Sequence, residues 1–211
     1  MRSSKVSAPS RTSARAPAAP AGKPKGHATH EVRIIGGQWR RTRLKVIDKP
    51  GLRPTPDRVR ETLFNWLGQD LAGWRCGDAF AGTGALGLEA ASRGAAHVLM
   101  LEQDPVLVSA LQAHVLRLQA GMVQVQRGDA ISALQRLPSG SVDLVFIDPP
   151  FDGPWFESAL KAAAAAVPVG GWVYLEAPAA WSDEALSVWS LKVERHLKAG
   201  AVHAHLLQRK A

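Results

Sequence analysis

The sequence predicts an α/β protein built on a doubly wound, Rossmann-like sheet of seven mainly parallel strands. From Arg75 onward, short apolar runs alternate with helical patterns, as they do in sheets wound with crossover helices. A G-x-G-x-x-G segment follows the first of these runs and opens the first helix. The last two apolar runs flank Gly200, which predicts an antiparallel hairpin at the C-terminal end. A small basic β-hairpin arm is predicted in front of the sheet.

The elements of the sheet follow in order from these patterns. Five strands are expected near residues 76–80, 97–102, 122–127, 142–147 and 172–176, with two hairpin strands after Trp189. The helices between them are expected to begin near Ala85, Pro105, Ala130 and Trp155. Asp104 is a good N-cap for the second of these helices, because an aspartate carboxylate can accept a backbone N–H of the first turn. Proline suits the first helical position that follows, because it has no N–H to satisfy.

Two elements are predicted ahead of the sheet. β-Formers lie on both sides of Gly36-Gly37, which indicates two strands joined by a tight turn. Further on, Thr55 is expected to be the N-cap of a helix with Pro56 at its first position. The apolar spacing of Val59 and Leu63 then gives that helix one buried face.

Composition restricts the class of protein. With 211 residues, 46% hydrophobic and 21% charged, the chain is not collagen-like, disulfide-built or disordered throughout. No apolar stretch reaches membrane-spanning length and no secretory signal is recognisable, so a cytoplasmic monomer away from the membrane is expected. The single cysteine, Cys76, cannot form an internal disulfide or supply a cysteine-rich metal site, and no metal is expected.

Positive charge is concentrated at the front of the chain. Residues 1–30 carry six basic and no acidic residues, residues 31–60 carry nine against three, and the remainder is net acidic. We expect a disordered basic tail over 1–30, a hairpin arm and connector over 31–55, and the main domain over 56–211. The asymmetry indicates a polyanionic partner, although a solvated basic extension or an organellar transit peptide also fits residues 1–30.

The glycine-rich segment from Asp78 to Gly87 predicts a nucleotide-type cofactor. In a doubly wound sheet, such a loop brings backbone amides and a helix N-terminus to the ligand. NAD is disfavoured because Asp78 would repel a pyrophosphate and because no second domain remains for a hydride acceptor. S-adenosylmethionine has an ammonium group for Asp78 and no phosphate, so it is the expected cofactor.

Two further carboxylates follow strands of the predicted sheet. Glu102 ends the second strand, where a carboxylate can accept hydrogen bonds from ribose hydroxyls. Asp129, followed by Ala130, lies after the third strand, where it can accept from an adenine amino group. The alternative for both acids is that they cap loops at strand ends.

Asp148-Pro149-Pro150-Phe151 follows the most apolar strand. The prolines restrict the backbone, so the Asp148 carboxylate and the Pro149 carbonyl can point at one place. Both are acceptors, which suits an amine whose two hydrogens are held while its lone pair attacks a methyl group. Phe151 can stack on the ring that carries this amine. A structural Pro-Pro turn capped by aspartate is the alternative.

These motifs together resemble those of class I S-adenosylmethionine-dependent methyltransferases that modify exocyclic amines of nucleobases. The segments R-I-I-G-G-Q-W-R-R-T-R-L and G-L-R-P-T-P-D-R-V-R-E-T-L-F-N-W-L are similar to those of the bacterial family that methylates N2 of a guanine in 16S ribosomal RNA. The resemblance covers about residues 32–208. The family pattern has a glycine where this chain has Arg41, so that turn is expected to differ. The strand V-H-A-H-L-L also departs from the aromatic pattern of the family.

The resemblance implies a role for each matching position. For the cofactor, the resemblance implies contacts with the glycine-rich loop and with the ends of the next two strands. The residues at these positions are Asp78, Phe80, Gly82, Thr83, Gly84, Glu102, Gln103, Asp129 and Ala130. The flipped guanine is implied to contact Asp148, Pro149, Pro150 and Phe151. The 16S rRNA, free or in an assembling 30S subunit, is expected to contact the basic arm through Arg33, Trp39, Arg40, Arg41, Arg43 and Arg53.

Other interpretations remain open from sequence. An adenine-N6 DNA methyltransferase would use the same acceptors, and a non-catalytic RNA-binding assembly factor could retain the cofactor pocket. Trp39 suits stacking on RNA, but packing on the domain explains it as well. Trp155 could line the base pocket or belong to the core. His203 and His205 are expected to be surface residues rather than a metal pair.

Overall fold

The computed structural model describes residues 31–49, 52 and 55–211. The predicted tail over 1–30, Arg53 and Pro54 lie outside the described residues. The strands are β1 Glu31–Arg33, β2 Arg43–Lys45, β3 Arg75–Asp78, β4 His97–Glu102, β5 Val123–Arg127, β6 Leu144–Ile147, β7 Trp172–Ala177, β8 Leu191–Ala199 and β9 Val202–Arg209. The α-helices are α1 Asp57–Trp66, α2 Ala85–Ser92, α3 Pro105–Arg117, α4 Ala130–Gln135, α5 Phe156–Ala166 and α6 Asp183–Leu186.

A seven-stranded sheet in the order β5-β4-β3-β6-β7-β9-β8 dominates the described chain. Strands β3 to β7 pair in parallel, whereas β9 pairs antiparallel with both β7 and β8. This confirms the predicted fold class and the C-terminal hairpin. The strand order reverses between β3 and β6, and doubly wound sheets bind their ligands at such a reversal.

Both faces of the sheet are covered by apolar packing. On one face, Phe64 of α1 packs on Phe146, which packs in turn on Tyr174, with 6.2 Å between ring centroids in each pair. The opposite face is covered by alanines and leucines of α4 and α5. Burial on both faces explains why β6 is an unbroken apolar run. In the described chain, no helix combines the length and apolar character needed to cross a membrane.

The N-terminal hairpin differs from the predicted tight turn. β1 and β2 pair antiparallel with Val32 opposite Leu44, so residues 34–42 form a longer connection. Gly37 has φ +72°, and a Cβ on it would lie 1.8 Å from the carbonyl oxygen of Ser92. The glycine pair therefore allows this connection to approach α2 closely, and it does not form a two-residue turn.

Buried polar contacts fix this connection to α2. The Glu89 carboxylate accepts hydrogen bonds from the N–H groups of Ile35 and Gly36 at 2.8 and 2.7 Å. The same carboxylate pairs with Arg60 and Arg93. Since Val32 and Leu44 also belong to the core that contains Leu88, the hairpin is packed onto the sheet.

The start of α1 corrects the predicted cap. The N-cap residue is Pro56, which makes no side-chain capping bond. Thr55 instead donates its hydroxyl to Asp148 Oδ2 at 3.4 Å, and its carbonyl accepts from Arg60 Nε at 3.2 Å. The connector is thus held against the end of β6.

The expectation that both histidines of β9 lie at the surface is wrong for His205. Its side chain is 0% exposed, and Nε2 accepts a hydrogen bond from the Trp181 N–H at 3.1 Å. Burial is the largest cause that lowers the pKa of His205 to about 4. His205 is enclosed because β9 is flanked by strands on both sides and is covered by the Trp181 segment. His203 is only partly buried and contacts His196.

Candidate cofactor and substrate site

Three carboxyl groups meet where neighbouring strands end. Asp78 is the last residue of β3, and its register partner on β6 is Phe146. Asp148 directly follows β6, and Ile147 pairs with Leu175, which places Asp148 next to Glu176 of β7. Asp78 and Asp148 therefore flank the point at which the strand order reverses, as ligand-binding residues do in this architecture.

The glycines of the predicted cofactor loop have distinct roles. Gly84 is the N-cap of α2 with φ +78°, and a Cβ there would lie 2.6 Å from Leu111 Cδ2. Gly82 also has a left-handed backbone, with φ +50°. Gly87 donates its N–H to Asp78 Oδ2 at 2.9 Å, and a Cβ on Gly87 would lie only 3.0 Å from that oxygen. Side chains at these positions would displace the helix from the strand end.

Asp78 is buried beside this loop. Loss of solvent, together with the nearby charge of Glu102, raises the pKa of Asp78 from its ordinary value of 3.8 to about 7, although the Gly87 hydrogen bond lowers it. Among the described residues, no lysine or arginine forms an ion pair with Asp78, so this buried carboxyl group suits a ligand that brings positive charge. Phe80 and Thr83 of the same loop are partly exposed.

Glu102 lies on the other side of the loop. One oxygen accepts from Gly82 N–H at 3.0 Å and the other from Asp104 N–H at 2.9 Å. Partial burial raises the pKa of Glu102, and the charge of Lys49, which is ion-paired to Asp104, acts in the opposite direction. Glu102 thus joins the loop to the end of β4, with Gln103 exposed next to it.

Asp129 acts as a helix cap in the structure. Its carboxylate accepts from Ser132 N–H at 2.8 Å at the start of α4, whose first residue, Ala130, is buried. Hydrogen bonding to Ser132 lowers the pKa of Asp129. Gly128 N–H donates to the Glu102 carbonyl at 3.0 Å, so Asp129 lies at the same edge of the sheet as Glu102.

The D-P-P-F segment lies at the centre of this edge. Loss of solvent around the Asp148 carboxyl raises its pKa well above the ordinary value, and the charges of Glu176 and Asp78 add to the effect. Pro149 is buried and Pro150 is exposed. Phe151 is 38% exposed and contacts Phe156, with 6.3 Å between the ring centroids. An exposed ring next to a sheltered acceptor can receive a planar base.

The site contains residues that the sequence analysis missed. Glu176 is 3% exposed, and Oε1 accepts the Tyr174 hydroxyl at 2.8 Å. Thr55 was assigned to a helix cap rather than to this site. Glu176 could have been found by noting that a third carboxyl group stands at the end of an apolar strand, in the position that Asp78 and Asp148 occupy on theirs.

Trp155 is the N-cap residue of α5. Its indole N–H is buried without a hydrogen-bond partner in the described chain. The ring lies against Gly153, where a Cβ would come 1.9 Å from Nε1. Gly153 therefore fixes how the chain leaves the D-P-P-F segment.

The arginines of the arm have different environments. Arg33 pairs with Asp57 at 2.9 Å and Arg43 with Glu31 at 3.1 Å, and both arginines remain largely exposed. Arg40 and Arg41 are exposed, whereas Trp39 is partly buried against the core. Arg53 is not among the described residues.

A doubly wound sheet whose glycine loop and strand-end carboxyl groups meet at the reversal of strand order defines a protein of the Rossmann-like α/β class. The chain belongs to the family described as Conserved hypothetical protein 95, whose sequence profile matches residues 32–208. It is 41% identical over 175 residues to ribosomal RNA small subunit methyltransferase D of Escherichia coli strain K12, covering 83% of this chain and 82% of that one. The Haemophilus influenzae protein of the same name is 42% identical over 140 residues, covering 64% of this chain and 72% of that one.

Solved structures agree with this family assignment. The Escherichia coli protein yhhF superposes with a TM-score of 0.75 at 38% identity, covering 86% of this chain and 99% of its own. The Haemophilus influenzae protein HI0767 gives a TM-score of 0.71 at 30% identity, covering 86% of this chain and all of its own, 100%. The predicted family resemblance is confirmed.

Proposed function

We propose that this chain transfers the methyl group of S-adenosylmethionine to the exocyclic N2 of a guanine in 16S ribosomal RNA. The observation that carries the proposal is the position of Asp148, a sheltered acceptor at the strand-order reversal between the glycine loop and the exposed ring of Phe151. The names of the curated relatives support ribosomal RNA as the substrate and methyl transfer as the reaction.

The residues at this edge fit the proposed cofactor. Asp78 would hold its ammonium group and the N-terminus of α2 its carboxylate, with Phe80, Gly82, Thr83 and Gly84 around them. Glu102 and Gln103 would contact the ribose, and Asp129 and Ala130 the adenine. The cofactor would supply an electrophilic methyl group on a sulfonium.

The chain's own residues would then bind and orient the amine. The flipped guanine would stack on Phe151 while Asp148 and the Pro149 carbonyl accept the two N2 hydrogens, and Pro150 keeps the turn rigid. Both acceptors leave the nitrogen lone pair free to face the methyl group. Positioning of this kind accounts for a large part of the rate in a bimolecular transfer.

The substrate would approach from the basic arm. Arg33, Arg40, Arg41 and Arg43 would contact phosphates, and Trp39 a base or sugar. We include Arg53 among these RNA contacts because of its positive charge and its position in the connector. We propose that the protein acts in the cytoplasm as a monomer on 16S rRNA or an assembling 30S subunit.

Methyl transfer to competing substrates tests the proposal. The purified protein and tritiated S-adenosylmethionine are incubated with 30S particles that lack the modification, with naked 16S rRNA and with duplex DNA, and the labelled product is digested to nucleosides. The proposal predicts N2-methylguanosine from an RNA substrate. N6-methyladenosine in DNA would establish the adenine enzyme instead, and absence of S-adenosylmethionine binding by calorimetry would favour a non-catalytic assembly factor.

A further inference from the structure

Glu176 is a second carboxyl group immediately beside the proposed substrate acceptor. It is 3% exposed and sits at the register position next to Asp148 on the neighbouring strand. Side chains at such positions on adjacent strands point to the same face. The Tyr174 hydroxyl donates a hydrogen bond to Oε1 of Glu176, which fixes the position of that carboxyl group.

The groups that face Asp148 come from three elements. Asp78 approaches from β3, Glu176 and Tyr174 from β7, and Thr55 from the connector. In the described part of the chain, no lysine or arginine forms an ion pair with Asp78, Asp148 or Glu176. Without a cation, neighbouring carboxyl groups cannot all ionise, and they share protons as a coupled set.

We propose, on the basis of the function proposed above, that Glu176 is a positioning residue that enables Asp148 to take the proton released by the guanine amine. In the transfer, a bond forms between N2 and the methyl carbon, and the bond between that carbon and sulfur breaks, which turns the sulfonium into a thioether. One proton leaves N2 for the Asp148 carboxylate and is later released to water. The negative charge of Glu176 makes Asp148 a better acceptor for this proton.

Thr55 lowers the pKa of Asp148, whereas the charge of Glu176 raises it. Its hydroxyl donates a hydrogen bond to Asp148 Oδ2, and such a bond favours the ionised carboxylate. It also lies close enough to Glu176 to lower the pKa of that residue. The two neighbours should therefore move the titration of Asp148 in opposite directions, a pattern that a general loss of structure does not produce.

The test compares Glu176→Gln, Thr55→Val and the matched control Glu184→Gln, which makes the same chemical change at an exposed position of α6. Side-chain carboxyl carbons are titrated by NMR in the protein alone, without RNA or cofactor. Calorimetry with S-adenosylmethionine and thermal melting check the binding site and the fold. Single-turnover methyl transfer is then measured as a function of pH.

We expect the titration midpoint of Asp148 to fall by about half a pH unit or more in Glu176→Gln and to rise in Thr55→Val. The acidic limb of the rate profile should shift in the same directions, and Glu184→Gln should match the wild type. An unchanged midpoint in folded Glu176→Gln, or shifts of both variants in one direction, would overturn the inference. If Glu176→Gln melts too early to titrate, Tyr174→Phe replaces it. Loss of the Tyr174 hydroxyl hydrogen bond makes Glu176 less readily ionised, so the Asp148 midpoint should fall, and an unchanged midpoint overturns the inference.

This design can refute the proposed role of Glu176 without refuting the proposed function, and the reverse. The carboxyl titration needs no substrate, so coupling of Asp148 to Glu176 is measured whether or not the protein makes N2-methylguanosine. A wild type that makes N2-methylguanosine but shows no coupling would refute only the role of Glu176.

Discussion

At the residue scale, the surroundings of the Asp148 carboxyl group are formed by residues that are distant in the chain. The Thr55 hydroxyl that reaches it comes from 93 residues earlier, and Asp78 and Glu176 come from other strands. Local spacing identified Asp148 because proline restricts the backbone on its C-terminal side. The same local reasoning placed Thr55 in a helix cap, because a capping threonine and one that contacts a remote carboxylate have the same sequence pattern.

Arg41 adopts a left-handed conformation with φ +70°, at the position where the family pattern has glycine. For a residue with a Cβ, this conformation costs about 1 kcal/mol. We expect Arg41→Gly to raise the free energy of unfolding by up to about 1 kcal/mol, measured by urea denaturation. Arg40→Gly is the matched control, since Arg40 is not among the residues with positive φ, and it should destabilise the chain slightly. Equal destabilisation by both changes would contradict this account.

At the element scale, the N-terminal hairpin is held to α2 by buried charge. Glu89, which is 0% exposed, is paired with two arginines and accepts two backbone N–H groups of the 34–42 connection. This network places the exposed Arg40 and Arg41 at a fixed position relative to the glycine loop that precedes α2. The proposed RNA surface and the proposed chemistry are thus joined through one helix.

Replacing Glu89 with glutamine should weaken this attachment. The change leaves the guanidinium group of Arg93 buried without its carboxylate, which costs about 3 kcal/mol or more. Arg60 loses one of its two carboxylate partners and keeps Asp57 at 2.6 Å. We expect a lower urea midpoint and faster hydrogen exchange at the Ile35 and Gly36 amides, while exposed Glu184→Gln behaves as the wild type. Unchanged exchange at those two amides would show that the hairpin is held by other contacts.

The elements themselves were largely predictable, since local apolar periodicity determines them. Of the five sheet strands with predicted bounds, four begin within one residue of the predicted positions, and β6 begins at Leu144 rather than 142. The errors arose where a remote partner decides the outcome. Gly36-Gly37 contacts α2 instead of forming a tight turn, and His205 is enclosed by the Trp181 segment.

At the scale of the whole molecule, the buried carboxyl groups at the strand ends and the exposed arginines of the hairpin belong to different parts of the described chain. Exposed arginines lie on the hairpin, whereas Asp78, Asp148 and Glu176 gather at the carboxyl edge of the sheet. Sequence charge counts identified the basic front of the chain. They could not reveal this cluster of carboxyl groups, because its members are 28 to 98 positions apart and become neighbours only through strand order.

The buried carboxyl groups should make stability depend on pH. The folded pKa of Asp78 is about 7 against an ordinary 3.8 in the unfolded chain. Below about pH 4 both states hold the proton, and between about 4 and 7 only the folded state does, so stability falls as pH rises through this range. His205 changes stability in the opposite direction, because between about pH 4 and its ordinary 6.5 only the unfolded chain holds that proton. The contribution of Asp78 is therefore measured by comparison with Asp78→Asn: between pH 5 and pH 8 the urea midpoint of the wild type should fall relative to that of the variant. An equal change of midpoint in both proteins would contradict the buried state of Asp78.

The central claim is that Asp148 holds the target amine, and Asp148→Ala, which removes the acceptor, tests it most directly. Wild type and variant are incubated with unmodified 30S particles at concentrations of S-adenosylmethionine that saturate both proteins, as measured by calorimetry, and N2-methylguanosine is quantified by mass spectrometry. The account predicts N2-methylguanosine from the wild type and at least about 100-fold less from the variant, with cofactor affinity retained. Wild-type levels of N2-methylguanosine from Asp148→Ala would contradict it.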